Sequence, residues 1–109
     1  MKDMLDKYGY PTDTTLTKIA EWPSKDSEGW FQFIQSIWNF ADWGWGEIEK
    51  LDSNGNNINS YSIYTMGWSG NEDVIRAMQK NDILWLRSLI STRHGGHYIF
   101  QRKINNEHG

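Results

Sequence analysis

Two histidines flank a glycine pair near the end of the sequence, in the segment RHGGHY at positions 93–98. A two-residue turn at Gly95-Gly96 would join two strands and pair His94 with His97, so that the imidazoles lie side by side. Such a pair can act as general acid and base, or provide two ligands to a metal ion. Zinc needs three or four ligands, and the third histidine, His108, lies in a tail. We therefore assign no catalytic residue and predict no metal and no cofactor.

Seven tryptophans are the most unusual feature of the composition, since only one valine accompanies them. Large rings supply buried area in a small protein, and that accounts for most of them. Trp43, Trp45 and Trp68 differ because each stands next to glycines, in stretches that read as loops. For these three we expect either ordinary packing or a platform on which a planar ligand stacks.

The segment Gly67-Trp68-Ser69-Gly70-Asn71-Glu72 reads as the start of a helix. Ser69 and Glu72 have the spacing of a capping box, in which both side chains satisfy free helix amides. The same amides at Gly70 and Asn71 can also hold an anion, because a helix N-terminus carries positive charge. Arg93 could then bind a phosphate in a bidentate manner, while His94, His97 and Tyr98 bind ribose or phosphate oxygens.

The remaining pattern predicts one α+β domain over residues 1–109, with 1–13 and 105–109 peripheral or frayed. Helical periodicity and caps predict helices from Thr14 to Trp22, from Ser27 onward, and from Gly70 to Lys80. Alternation and an Asn-Gly turn predict strands at 47–51 and 58–66. Residues 83–92 fit a buried helix or a strand, and we favour the strand. The result is an antiparallel sheet of three to four strands with two to three helices packed on it.

Composition narrows the classes of function. There is no cysteine, which excludes disulfides and thiolate metal sites. We expect no membrane association, because no apolar run could span a bilayer and no signal-peptide pattern is present. Residues 1–73 carry five lysines against twelve acids, whereas residues 74–109 carry six basic residues against two acids. The acidic first part disfavours an extended nucleic-acid surface, although a local arginine cluster could bind a small anion.

The motifs GWSGNE at 67–72 and RHGGHY at 93–98, with Trp43-Gly44 before them, resemble a group of small bacteriophage and prophage proteins. The resemblance extends from about Thr14 to Phe100, and the Asn-rich hairpin at 53–59 is longer than is usual in that group. It implies a phage protein in the cytoplasm of a bacterial host. By analogy with small phage proteins that act against host defence, it suggests sequestration of a nucleotide immune signal.

We therefore expect a non-enzymatic, oligomeric protein that binds a cyclic nucleotide or an ADP-ribose derivative. The expected ligand-binding residues are Trp43, Trp45, Trp68, Ser69, Gly70, Asn71, Arg93, His94, His97 and Tyr98. Two alternatives remain open. One is a phosphodiesterase or hydrolase that uses His94 and His97. The other is an inhibitor of a host enzyme, such as a host defence protein, that binds through exposed aromatic surface.

Overall fold

A computed structural model describes residues 4–39 and 41–104 of the chain. It contains four strands and five helices among these residues, in an α+β arrangement. In chain order the elements are α1 Asp13–Ala20, α2 Ser27–Ile37, α3 Ala41–Gly44, β1 Trp45–Leu51, β2 Asn57–Tyr64, α4 Ser69–Lys80, α5 Asp82–Ser88, β3 Leu89–Arg93 and β4 His97–Lys103. The predicted fold class is confirmed, with two helices more than the upper expectation because α3 is a single short turn and α5 replaces part of a predicted strand.

The sheet has the order β1-β2-β4-β3, and every neighbouring pair is antiparallel. Strands β2 and β4 lie at the centre, where Tyr61 pairs with Phe100 and Tyr64 with His97. Alternation along β2 sends Tyr61 and Ile63 to one side and Tyr64 to the other, as the sequence predicts. We call the side of Tyr61 the inner face and the side of Tyr64 the outer face.

Helices cover the inner face and form the core with it. The Phe31 ring of α2 stacks on Tyr61 with ring centroids 4.1 Å apart, and Trp85 of α5 meets Phe100 edge-on at 5.5 Å. The helical periodicity of α2 explains this contact, because its apolar residues recur on one side and are buried there. Large rings and Ile, Leu and Met side chains therefore fill the space between the two layers together.

The predicted N-cap residues of α1 and α2 shift by one or two positions. Thr12 caps α1 in place of Thr14, and Asp26 caps α2 in place of Ser27 by accepting a hydrogen bond from the Gly29 amide. No helical turn forms between residues 4 and 10; instead Leu5 makes an isolated bridge with Pro11. The expected fraying of residues 105–109, and the first three residues of the peripheral N-terminal segment, lie outside the described residues.

Residues 83–92 combine both of the structures that their sequence allows. The first part is helix α5 and the second part is strand β3, so the preferred all-strand interpretation is wrong for its first half. The cause is Asn81, whose Oδ1 accepts a hydrogen bond from the Leu84 amide and starts the helix. The Nδ2 of the same side chain donates to the carbonyls of Ile19 and Trp22, which fixes α5 to the end of α1.

The β1–β2 hairpin is present, but its turn is longer than the predicted two-residue type I′ turn. Residues 52–56 form a five-residue loop in which the Asp52 carboxylate accepts hydrogen bonds from the amides of Asn54 and Asn56. Gly55 takes a φ of 83° in this loop. Within residues 4–39 and 41–104, none of the helices combines the length and apolarity needed to cross a membrane.

Candidate functional site

The sheet topology gathers all ten predicted site residues at one end of the molecule. At this end β1 and β4 begin, while β2 and β3 finish. Helix α3 leads into β1, and α4 starts shortly after β2, so both add residues to the same edge. We call this edge the rim. The expected convergence of element ends is therefore present, although the individual side chains have different surroundings.

Trp68 and Gly70 form a packing unit. The Trp68 ring lies so close to Gly70 that a methyl group on that residue would overlap the indole. The Trp68 ring also packs against the Tyr10 ring, with centroids 4.7 Å apart. The Tyr10 hydroxyl forms a hydrogen bond with Ser69 Oγ at 3.0 Å. This unit fixes the N-terminal segment to α4, and it explains the Gly-Trp-Ser-Gly spacing without a ligand.

The predicted capping box is wrong. The N-cap of α4 is Trp68, whose side chain makes no capping hydrogen bond, and the Ser69 hydroxyl is directed to Tyr10 instead. A capping box would make Ser69 the N-cap and Gly70 the first helical residue, whereas α4 begins at Ser69. The indole over Gly70 also occupies space next to the first turn, where an anion would approach the helix amides.

Asn71 is fully buried and links three segments of backbone. Its Oδ1 accepts a hydrogen bond from the Asn39 amide at 3.0 Å, and its Nδ2 donates to the carbonyls of Asn39 and Thr65. All the polar atoms of this side chain are thereby used within the protein. Asn71 therefore supports the rim from the interior of the protein, and its side-chain oxygen and nitrogen bond to other protein groups and not to solvent.

Trp45 and Tyr98 belong to the inner face. Trp45 packs edge-on against Trp38 and Tyr61, at centroid distances of 5.8 and 6.0 Å. Tyr98 meets Trp85 at 6.1 Å and lines a shallow cavity of about 310 Å³ between β4 and α4. That cavity also contains the side chains of Glu72 and Arg76. Both aromatic residues are half-buried and contribute to packing.

The β3–β4 hairpin has a different register from the predicted one. Arg93 pairs with His97, and His94 lies in a three-residue turn with Gly95 and Gly96. The expected pairing of His94 with His97 is therefore wrong. Both glycines have positive φ, and Gly96 packs directly against the Thr65 side chain while its carbonyl accepts the Thr65 amide. This contact across the rim selects the longer turn.

His97 lies on the outer face in a defined polar and aromatic environment. Its ring stacks on Tyr64, with centroids 4.0 Å apart and an interplanar angle of 8°. Its Nε2 is 2.7 Å from Ser62 Oγ. Desolvation in this arrangement, together with the positive charge of Arg93, lowers the pKa of His97 below the ordinary value. The imidazole is therefore neutral at pH 7.

The accessible part of the rim consists of few residues. Trp43 is 79% exposed and Tyr64 is 40% exposed, while Arg93 and His94 are also exposed. Tyr64 and Ser62 are absent from the predicted set. The alternation in β2 indicates that Tyr64 is on the face opposite the core, and a solvent-facing aromatic on a strand is the signal that identifies it. Among the described residues, no group of three histidine, cysteine, aspartate or glutamate side chains could hold a metal ion.

The fold and rim together define an α+β protein with a four-stranded antiparallel sheet. Comparison of the chain with protein-family models, curated proteins and solved structures found no match.

Proposed function

We propose that this protein binds a small nucleotide-type ligand at the outer side of the rim and does not change it chemically. The ligand class is a cyclic nucleotide or an ADP-ribose derivative. The observation that carries this proposal is the stacked Tyr64–His97 pair on the outer face. Arg93 of β3 is the cross-strand partner of His97 and supplies a guanidinium beside this pair. These are the two kinds of contact, aromatic and cationic, that bases and phosphates require.

The stacked pair offers a surface for a base. One side of the Tyr64 ring is covered by His97, and the strand on the other side carries Gly46 opposite Ser62. A glycine at that outer-face position provides no side chain to fill the space beside Tyr64. A base that extends the stack there would gain about 1–3 kcal/mol. Trp43, in the helix that precedes β1, provides a second exposed ring at the same edge.

Polar recognition falls to Arg93, His94 and His97. Arg93 is exposed and makes no ion pair among the described residues, so its guanidinium is available to a phosphate. His97 is neutral and can donate or accept a hydrogen bond at its second ring nitrogen. The other predicted residues, Trp45, Trp68, Ser69, Gly70, Asn71 and Tyr98, support the rim and do not contact the ligand in this proposal.

The biological setting of the proposal is the resemblance to small phage and prophage proteins. In that setting the protein acts in the cytoplasm of the bacterial host and removes a nucleotide immune signal. The rim of one chain is open, so a ligand on it would stay partly in contact with water. Tight sequestration favours enclosure, and we propose that a second copy of the chain covers the ligand in a homo-oligomer.

A thermal-shift screen tests this proposal. The panel contains cyclic dinucleotides, cyclic ADP-ribose isomers, ADP-ribose, NAD and mononucleotides, and the ligand released on heating is identified by mass. A ligand that binds only the folded protein raises the melting temperature by mass action. We expect a shift with one class and recovery of the intact ligand. No shift with any member of the panel would contradict the proposal and favour a protein partner.

Arg93→Ala is the decisive variant. Because Arg93 is exposed, its substitution should change the free energy of unfolding by no more than about 0.5 kcal/mol. We expect the unliganded melting temperature to stay unchanged and the ligand-induced shift to disappear. Lys50→Ala is the matched control, since Lys50 is also an exposed cation on the outer face but lies at the opposite end of the sheet. Equal loss of the shift in both variants would indicate a general charge effect and not a site at the rim.

A second candidate function is a hydrolase, favoured by the contact between Ser62 and His97. A serine hydroxyl 2.7 Å from a neutral imidazole has the geometry of a nucleophile and its general base. This pair replaces the His94–His97 pair of the sequence prediction. An activity-based fluorophosphonate probe would label Ser62 if the pair is active, and His97→Gln would then abolish labelling. Absence of labelling in the unmodified protein would exclude this role for Ser62 as a nucleophile toward the probe.

A further inference from the structure

A polar groove of about 360 Å³ lies on the inner face, at the end of the sheet opposite the rim. We call it the Arg102 groove. Helix α2 contributes Glu28 and Gln32 to it, β1 contributes Glu47 and Glu49, and the central strands contribute Asn59, Tyr61 and Arg102. Three basic and four acidic side chains line this groove, so both signs of charge are present in one concave site.

Arg102 is the deepest charged group in the groove. Its side chain is 12% exposed, whereas that of Glu28 at the mouth is 62% exposed. The Nε of Arg102 donates a hydrogen bond to the Tyr61 hydroxyl at 2.8 Å. The nearest carboxylate oxygen among the described residues, on Glu28, is 3.9 Å from Nη2, which is too long for a hydrogen bond.

Within residues 4–39 and 41–104, this arrangement leaves the guanidinium incompletely compensated. A guanidinium carries five N–H donors, and one of them is used by a neutral phenol. A cation that is largely removed from water is costly unless an anion pairs with it and its donors are satisfied. A structural role would be complete with a close carboxylate, as in a bidentate pair. Arg102 instead lines the groove, and no carboxylate oxygen of the described residues lies within hydrogen-bond distance of its terminal nitrogens.

Tyr61 adds a second donor at the same place. Its hydroxyl oxygen accepts hydrogen bonds from Arg102 Nε and from Asn59 Nδ2, and its own proton has no acceptor among residues 4–39 and 41–104. Burial raises the pKa of Tyr61, although the hydrogen bond and charge of Arg102 act in the opposite direction, so the hydroxyl keeps its proton. Asn59 also donates to Glu47 at 2.9 Å, which holds this network in position. The two donors, guanidinium and phenol, suit a carboxylate.

The β1 wall of the groove carries carboxylates and therefore favours a cationic group. Glu47 and Glu49 lie on β1 on the same face of the strand, and both are exposed. Glu49 makes no ion pair with any described residue. These carboxylates repel a ligand of high negative charge such as a nucleotide, and they attract an ammonium group. The groove therefore differs in its selectivity from the rim.

We propose that the Arg102 groove binds a small zwitterion, with the carboxylate of the ligand on Arg102 and Tyr61 and its ammonium group on Glu49 and Glu47. The ligand class is that of amino acids and ω-amino acids. This second site is independent of the nucleotide site at the rim, because the two lie at opposite ends of the sheet and prefer ligands of different charge.

An NMR titration of the ¹⁵N-labelled protein tests the site. The probes are glycine, β-alanine and γ-aminobutyrate, which separate carboxylate and ammonium by increasing distances. Acetate and methylammonium present the two charges singly, and AMP presents a nucleotide phosphate. We expect at least one zwitterion to shift the Arg102 Nε–H signal and the backbone amides of 59–61 and 101–103 saturably. It should bind more tightly than acetate, methylammonium or AMP.

Two variants test which residues bind the carboxylate and the ammonium group of the ligand. Arg102→Lys keeps the positive charge but loses the planar donor pair, and it should weaken zwitterion binding about ten- to hundredfold. Glu49→Gln removes an exposed carboxylate with no ion pair, and it should weaken binding about two- to fivefold without a change in melting temperature. Glu21→Gln is the matched control, since Glu21 is an exposed acid outside the groove.

The proposal fails if none of the three zwitterions shifts these signals, or if acetate or AMP binds as tightly as they do. It also fails if Glu49→Gln and Glu21→Gln have equal effects. Should Arg102→Lys unfold the protein, the comparison of the two glutamate variants decides the question alone. None of these outcomes bears on the thermal-shift test of the rim, where Arg93 is the variant.

Discussion

At the scale of single residues, the rim is organised by close packing of rings on glycine. Trp68 lies over Gly70, and the same ring packs against Tyr10 in the N-terminal segment, where a Cβ added at Gly9 would lie 3.9 Å from the indole. A larger residue at position 70 would have to displace the indole, and with it the segment that the indole holds. The sequence motif around Trp68 is thus explained by steric fit.

Gly70→Ala should therefore destabilise the protein even though alanine is the better helix former. The gain in helix propensity is at most about 1 kcal/mol, whereas overpacking costs about 1–3 kcal/mol. Because the overlap involves the rigid indole, we expect a net loss in the free energy of unfolding, measured by chemical denaturation. Gly46→Ala is the control, since a methyl group there meets Ser62 at ordinary contact distances, 3.6 Å from its carbonyl oxygen and 3.8 Å from its Cβ. A stable Gly70→Ala protein would show that the indole can move freely.

The stability of the protein should depend on pH through His97. Its pKa is lowered in the folded protein, so the unfolded chain binds a proton more readily below about pH 6.5. The stability that the neutral imidazole contributes is complete above that pH and is lost as the pH falls through the folded pKa. Arg93 and Tyr64 are the charged and aromatic groups that face this ring.

Melting curves of the unmodified protein and of His97→Gln measure this contribution. Between neutral pH and about pH 5 the unmodified protein should lose more stability than the variant, which keeps a hydrogen-bonding group toward Ser62 but does not titrate. Carboxylate titration affects both proteins alike and cancels in the difference. Parallel curves would mean that His97 has the same pKa in the folded and unfolded states.

At the scale of elements, the β3–β4 hairpin is held by a contact that its own sequence does not contain. Gly96 packs against Thr65, which follows β2, and this neighbour fixes the three-residue turn. A Cβ added at Gly95 would meet nothing within 4 Å, although the φ of 83° at Gly95 is as unfavourable for other residues as that of Gly96. A side chain at position 95 would therefore cause backbone strain alone, whereas a side chain at position 96 would cause backbone strain and steric overlap.

Gly95→Ala and Gly96→Ala form a matched pair that measures the two effects. Each substitution should cost about 1–2 kcal/mol for the left-handed backbone. Gly96→Ala should cost about 1–3 kcal/mol more, because its methyl group overlaps Thr65. Urea denaturation of both variants gives the difference directly. Equal costs would indicate that the hairpin can move away from Thr65 without loss.

The elements also show which parts of the structure are predictable from the sequence. Helix α2 and the alternation of β2 follow from periodicity alone, since their apolar residues are spaced for one buried side. Helix α5, the hairpin register and the cap of α4 were predicted wrongly because each is decided by a distant residue. Asn81 anchored to α1, Gly96 against Thr65 and Ser69 bonded to Tyr10 are contacts between segments far apart in the chain.

The same distinction applies to the candidate site. The grouping of the ten residues at one edge could be predicted from where each element ends. Their exposure could not, because Gly70 is covered by the Trp68 ring and Asn71 is buried by its contact with the distant Asn39. The stacking of Tyr64 on His97 depends on the β2–β4 register, and this register is a property of the assembled sheet.

At the scale of the whole molecule, the two central strands and the two edge strands should differ in local stability. Strands β2 and β4 have a bonded neighbour on both sides, and they carry the fully buried Ile63 and Phe100. Strand β1 has one bonded neighbour, and its residues from Gly46 to Leu51 are all exposed. Local opening is least costly where few apolar contacts are broken, so β1 should open before the centre of the sheet.

Native-state hydrogen exchange measures this order. We expect the slowest amides in β2 and β4, with opening free energies close to that of global unfolding, and faster exchange along β1. The experiment is repeated over a range of protein concentrations, because an oligomer that pairs or covers the β1 edge would protect these amides in proportion to its population. Protection of β1 that disappears on dilution would favour the proposed homo-oligomer and place its contact at this edge. Equally slow exchange of β1 and β2 at every concentration would contradict the expected order, because the sheet would then open as a single unit.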